Sequence, residues 1–128
     1  MLEIQSNHMD AIFNKGVALG ELEKNEESIA CYEKVLEINP NHIDAIFNKG
    51  VALTRLGKQE DAIACYEKVL EINPNHMSAL SNKGVALGFL DKYEEATVCY
   101  DTALEISPNN SDIIANLVAL KVSTELKY

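Results

Sequence analysis

Three residue types recur where they could do chemistry. Cys31, Cys65 and Cys99 are spaced by 34 residues, and so are His8, His42 and His76. Asn14, Asn48, Asn82 and Asn116 form a third series at the same spacing. Thiols and imidazoles together suggest a disulfide or a zinc centre. A ladder of amides suggests contact with a peptide backbone, because an amide both donates and accepts hydrogen bonds whatever the side-chain sequence. The regular spacing weighs against the first chemistry. If each 34-residue span is one stacked unit, equivalent side chains lie about one interhelical distance apart or more, ~8–10 Å. A disulfide needs Cα atoms within about 7 Å, and a Zn–S bond is ~2.3 Å. The cysteines are therefore read as small packing residues and the histidines as turn residues. No metal or cofactor is expected. For the asparagines two readings stay open: contact with a partner's backbone, or a bond inside the repeat.

The elements that carry these residues are themselves copied. The stretch CYEKVLEINPNHIDAIFNKGVAL from Cys31 to Leu53 returns from Cys65 to Leu87, with 19 of 23 positions identical. A shorter copy, CYDTALEISPNN, starts at Cys99, and MLEIQSNH at the N-terminus matches VLEINPNH from Val35 to His42. A fixed period of this length marks a stacked array of helical units. Apolar residues recur at helical spacing from Met9 to Leu22, Ile43 to Leu56 and Met77 to Leu90. Second helices are expected over Glu26–Ile38, Glu60–Ile72 and Glu94–Ile106. Asn39-Pro40, Asn73-Pro74 and Ser107-Pro108 close them, since proline cannot continue the ladder. Asn7 with Asp10, and Asn41 with Asp44, are placed to start first helices. Met1–Ile4 reads as the end of a preceding helix and Gln5–His8 as a turn. A single helix is expected from Ser111 to Leu126.

Composition narrows the function. The 128 residues include 20 acidic and 11 basic ones, for a net charge of −9. Nucleic-acid backbones need clustered cations, so no nucleic-acid partner is expected. No apolar run reaches the roughly 18 residues of a membrane span, and no signal-peptide pattern opens the chain. A cytoplasmic location is expected. No phosphate-binding glycine loop or nucleophile elbow is present, so the chain is not read as an enzyme. Glu33, Glu37, Glu67 and Glu71 are read as a solvated outer face.

The units closely resemble tetratricopeptide repeats, whose pattern is W-x2-L-G-x2-Y, then A-x3-F, then P. The glycine is Gly16, Gly50 and Gly84, and the small second-helix residue is Ser28, Ala62 and Ala96. The aromatic is Tyr32, Tyr66 and Tyr100, and the proline is Pro40, Pro74 and Pro108. Lys15, Lys49 and Lys83 depart from the leucine before the glycine, which a lysine stem can replace while its ammonium stays wet. The resemblance implies an all-α fold: a right-handed α-solenoid of three repeats, 9–42, 43–76 and 77–110, with a capping helix at 111–126. Residues 1–8 would be the remnant of a preceding helix and turn, and 1–128 a single domain.

The resemblance also implies where a partner sits. In the family the first helices line a concave groove. Carried over by position, the groove holds Asp10, Phe13, Asn14 and Val17 in the first unit, and Asp44, Phe47, Asn48, Val51 and Arg55 in the second. The third unit gives Ser78, Asn82, Val85 and Phe89, and the cap gives Asn116. Phe13, Phe47 and the valines would make an apolar floor, unless the two rings are packed between repeats. Two of the four differences between the copies, Asp44/Ser78 and Phe47/Ser81, fall on groove positions. The family's carboxylate clamp for chaperone tails uses Lys, Asn and Arg. Here Phe13 or Phe47, and Val17 or Val51, stand at its first-helix positions. Ser78 and Asn82, or Asp112 and Asn116, stand at its later ones; only Asn48, or Asn82 in the next frame, matches. The expected function is therefore protein–protein interaction with an extended peptide or helix of basic or apolar character, and not with a chaperone tail. The alternative is a self-assembly scaffold, a homo-oligomer formed through the unfinished N-terminal edge and the wide apolar face of Ser111–Leu126.

Overall fold

A computed structural model describes residues 2–127, with side chains from 7 to 125. Among the described residues it is wholly helical: α1 Leu2–Glu21, α2 Asn25–Ile38, α3 Ile43–Arg55, α4 Gln59–Ile72, α5 Met77–Phe89, α6 Tyr93–Ile106 and α7 Ser111–Lys127. Each helix packs antiparallel on the next through a short connection.

Close approach within each pair follows from the repeated glycine. A Cβ placed on Gly16, Gly50 or Gly84 would lie 2.8, 2.8 or 2.6 Å from Cε1 of Tyr32, Tyr66 or Tyr100. Those rings are 3%, 0% and 3% exposed, so they have nowhere to retreat. The cysteines belong to the same contact: the Cβ atoms of Cys31 and Cys65 would stand 3.1 Å from the Cβ of Gly16 and Gly50. Ser28, where later repeats have alanine, is buried but satisfied, donating to the Gly16 carbonyl at 2.8 Å.

Two kinds of turn alternate. Between first and second helices, Glu23, Gly57 and Asp91 are left-handed, with φ of 62°, 79° and 60°. Lys24, Lys58 and Lys92 then donate backward to the Leu19, Leu53 and Leu87 carbonyls, each at 2.9 Å. This wrapped ending suits glycine, yet only Gly57 supplies one. Between repeats, Asn39 and Asn73 are extended before their prolines, and their side chains accept from the amides of Asn41 and Asn75 at 3.1 Å. His42 and His76 are the caps of α3 and α5: Nδ1 accepts from the amides of Ala45 and Ala79 at 3.1 Å. The cap expected of Asn41 therefore falls to the next residue. Asn110 does the same for α7 through the Ile113 amide.

The N-terminus corrects the expectation of a turn at Gln5–His8 capped by Asn7. Helix α1 runs through it without a break. The physical reason is in the copy itself: Gln5 and Ser6 replace Asn39 and Pro40, so both the side-chain turn and the proline are missing. His8 consequently lies inside a helix instead of capping one.

The odd helices touch in sequence, α1 with α3, α3 with α5 and α5 with α7. Among the described residues no two even helices approach one another as closely. Tighter spacing along one side curves the solenoid, and α1, α3, α5 and α7 line its inner side. Helix α7 buries Ile113 and Leu120 against the third repeat. Ile114 and Val118 remain 42% and 54% exposed on the face that a second helix covers in the other units, and Val122, aligned with Thr54 and Gly88, is 50% exposed.

Gly84→Ala is expected to cost about 1–3 kcal/mol, as overpacking does in a closed core. Glu23→Gly is expected to stabilise by about 1 kcal/mol through relief of a left-handed side chain. Urea unfolding followed by circular dichroism checks both, and opposite signs are required.

Candidate peptide-binding groove

The sequence-derived residues all lie on α1, α3, α5 and α7; Val17, Asn48, Val51 and Arg55 line one hollow, and Val85, Phe89 and Asn116 another. Asp10, Asp44 and Ser78 stand exposed near the starts of their helices, and Arg55 and Phe89 stand exposed near the ends. Val17, Val51 and Val85 are half-buried between them. Asn14 is exposed, whereas Asn48, Asn82 and Asn116 are half-buried.

The two phenylalanines are structural and surface-lining at once. Phe13 is half-buried, with its ring centroid 5.8 Å from Tyr32 and 5.1 Å from His42. Phe47 sits 5.9 Å from Tyr66 and 5.0 Å from His76. Each ring thus ties its own repeat to the histidine that starts the next. Ser81 replaces the ring in the third repeat, and Asn116 Nδ2 donates to its hydroxyl at 3.4 Å.

The asparagine ladder divides. Asn116 bonds to Ser81, and Asn82 hydrogen-bonds the Tyr66 hydroxyl. Among the described residues neither Asn14 nor Asn48 has a side-chain hydrogen bond within the protein. Arg55 crosses the groove to donate from Nη1 to the Gly20 carbonyl at 3.3 Å, so this cation is partly used by the scaffold.

Each tyrosine hydroxyl reaches the same surface. Thr54 donates to the Gly50 carbonyl at 3.0 Å, which leaves Tyr66 to donate to Thr54 Oγ1 at 2.9 Å. Burial pushes the Tyr66 phenol up, and its bonds to Thr54 and Asn82 oppose that. In the third repeat Gly88 stands where Thr54 does, and no side chain among the described residues bonds the Tyr100 hydroxyl. Burial pushes Tyr100 up to about 12 from an ordinary value of 10.

Hollows open at both ends of the groove. One of about 130 Å³ lies between α1 and α3, beside Gly20, Tyr32, Asn48 and Arg55. One of about 320 Å³ lies between α5 and α7, beside Gly88, Phe89, Tyr100 and Asn116. A larger one, about 750 Å³, lies on the outer side between α2 and α4, over Ile46 and Leu53 of α3. Sequence reasoning missed it, because Ile29, Leu36 and Leu56 read as core at helical spacing. It mixes Lys49, Lys58 and Lys68 with Glu26, Glu33 and Asp61. One repeat on, Lys83 pairs with Glu67 at 3.5 Å across the corresponding place.

A curved stack of paired helices, closed by glycine against tyrosine and carrying its variable residues on the inner side, defines a tetratricopeptide array. The family model described as "Psidin, N-terminal TPR repeats region" matches residues 11–125, and the chain belongs to that family of tetratricopeptide repeats. No curated protein matches it as a relative. Among solved structures, the first TPR of Spaghetti (RPAP3) bound to HSP90 peptide SRMEEVD is similar at 27% identity and a TM-score of 0.86. That likeness covers 91% of this chain and 93% of the other. The first TPR domain of human RPAP3 is 28% identical with a TM-score of 0.84, covering 94% and 97%. The Arabidopsis OM64 TPR domain shares the fold at a TM-score of 0.87 and 19% identity, covering 93% and 98%. No helix among the described residues is long and apolar enough to cross a membrane.

The Tyr100 shift carries a sign. A phenol raised above 10 in the folded protein favours the neutral form there, so its contribution is complete below pH 10 and is lost as pH rises toward 12. Stability is therefore expected to fall over that window. Tyr100→Phe should flatten the fall, and urea midpoints across the alkaline range measure it.

Proposed function

We propose that this chain is a protein-interaction module that holds an extended segment of a partner protein along its inner groove. The observation that carries the reading is Asn48. Its amide is half-buried, has no side-chain hydrogen bond among the described residues, and lines a hollow with Val17 and Val51, whose rim also carries Glu21 and Arg55. A half-buried amide that the fold does not use is free to pair with a backbone laid across it, which supplies both a donor and an acceptor. The similar RPAP3 domain described as bound to HSP90 peptide SRMEEVD supports this reading. We carry over the mode of binding and not the ligand. Phe13, Val17, Ser78 and Asn82, or in the next frame Phe47, Val51, Asp112 and Asn116, occupy the places where the clamp would need cations and an asparagine, and the chain carries a net charge of −9. The segment is accordingly apolar or basic. We propose no catalysis. A reducing compartment, the cytoplasm, suits three unpaired thiols.

A second reading keeps one observation in its favour. The exposed row Ile114, Val118 and Val122 would suit contact with another copy. Light scattering over a range of concentrations decides it: a monomer throughout sinks self-assembly, and Val118→Lys should dissolve any oligomer that forms.

Phe47 supports His76 and Tyr66 as well as lining the groove, so the informative change is at its neighbours. Asn48→Ala with Val51→Ala is expected to weaken capture of native partners at least tenfold, about 1.4 kcal/mol, with the circular dichroism unchanged. Full capture by the double variant would move the site off the groove. The peptide SRMEEVD should show no saturation up to about 1 mM, a free energy weaker than about −4 kcal/mol; salt-sensitive micromolar binding would restore the clamp.

A further inference from the structure

We propose that the hollow between α5 and α7 is an anchor pocket that takes one apolar side chain of the partner segment, of leucine to phenylalanine size. The inference rests on the groove reading above and adds what the groove selects.

The chain provides its own control, because the same place occurs in successive repeats with different contents. Between α3 and α5 it is filled: Thr54 stands over the glycine–tyrosine contact and closes the Tyr66 hydroxyl at 2.9 Å. Between α1 and α3 the residue is Gly20, but Arg55 reaches over to its carbonyl at 3.3 Å and leaves about 130 Å³. Between α5 and α7 both fillers are gone. Gly88 replaces the threonine, Ser123 stands at the arginine's position two units on, and the hollow grows to about 320 Å³. A Cβ added to Gly88 would meet nothing nearer than Leu120 Cδ1 at 3.7 Å. The glycine is therefore not required by helix packing, unlike Gly84 one turn earlier. Its effect is to leave room.

The lining chooses the occupant. Val85, Phe89, Ala119 and Leu120 form the walls, and no lining residue is charged. A charged side chain would be desolvated there with no counter-ion, at a cost that an apolar one avoids. Phe89 is 69% exposed at the rim, positioned to fold contact around an incoming side chain. Polar residues also line it, Tyr93, Tyr100, Asn116 and Ser123, and the Tyr100 hydroxyl and the Asn116 amide oxygen are suited to the backbone on either side of the anchor. Tyr100 is 3% exposed and has no hydrogen-bond partner among the described residues, which is the state that a bound carbonyl would resolve.

The test uses a positional-scanning library of N-acetylated, C-amidated decapeptides on the whole chain. The wild type is expected to select Leu, Ile, Met or Phe over Ala at one position by tenfold or more. Gly88→Thr copies the second repeat and should abolish that selection while retaining other contacts; Gly88→Ala, which leaves most of the space, should keep it. Melting curves establish that both variants fold. If Gly88→Thr keeps the selection, the pocket is overturned, and the groove reading survives provided Asn48→Ala with Val51→Ala still loses the peptides. If the wild type retains no decapeptide, both readings fall together. Selection of Asp or Glu at the anchor position would overturn the apolar pocket alone.

Discussion

The structure depends on one contact made three times: a tyrosine ring lying on a glycine of the paired helix. The ring fixes how near the helices come, because at Gly16, Gly50 and Gly84 no Cβ fits beneath it. The same ring fixes the rotation of the pair. Its flank is closed by Cys31, Cys65 or Cys99, and its far end emerges toward the inner side. Interiors pack at crystal-like density, so a contact this close tolerates little change on either side. The copied stretches then need only join one such pair to the next.

The joint is polar where the pair is apolar. A histidine accepts from the first free amide of the coming helix, and the preceding phenylalanine lies against its ring. The cap thus couples helix start to repeat stacking: one residue satisfies an orphan donor and offers a flat surface for packing. Where the pattern is incomplete the geometry follows. Without proline, Gln5–His8 continues a helix. With Asn110 in the histidine's place, α7 is still capped, but no phenylalanine backs the cap.

Much of this was legible in the chain before any coordinates. Apart from the start of α1, the copies place the helices within a residue or two of their observed ends, because Asn-Pro and the apolar period are strong local signals. What was not legible depends on surroundings. His42 and His76 read as turn residues because capping by Nδ1 is a matter of orientation, not of residue type. Glu23 and Asp91 gave no sign of left-handed backbone, since only Gly57 among the three equivalents advertises it. Phe13 and Phe47 were open to two readings; the rings are half-buried and pack against Tyr32 and His42, and Tyr66 and His76. The asparagine series looks uniform as sequence, yet Asn82 and Asn116 bond within the array while Asn14 and Asn48 do not. The neighbours that decide this, Tyr66 and Ser81, lie on other helices.

Each inner helix therefore carries two stripes with different duties. Ile46, Gly50 and Leu53 face the paired helix and are copied as Leu80, Gly84 and Leu87 with hardly a change. Phe47, Thr54 and Arg55 face inward and become Ser81, Gly88 and Phe89. Stability constrains the first stripe, since all its members are buried; the second is free to vary because water or a partner can take up the difference. The stripes meet at one atom, the tyrosine hydroxyl. It belongs to a ring that the scaffold cannot move, and it opens on a surface that the scaffold does not specify. In the second repeat Thr54 closes it. In the third, no side chain among the described residues bonds it, and Gly88 leaves the space beside it open.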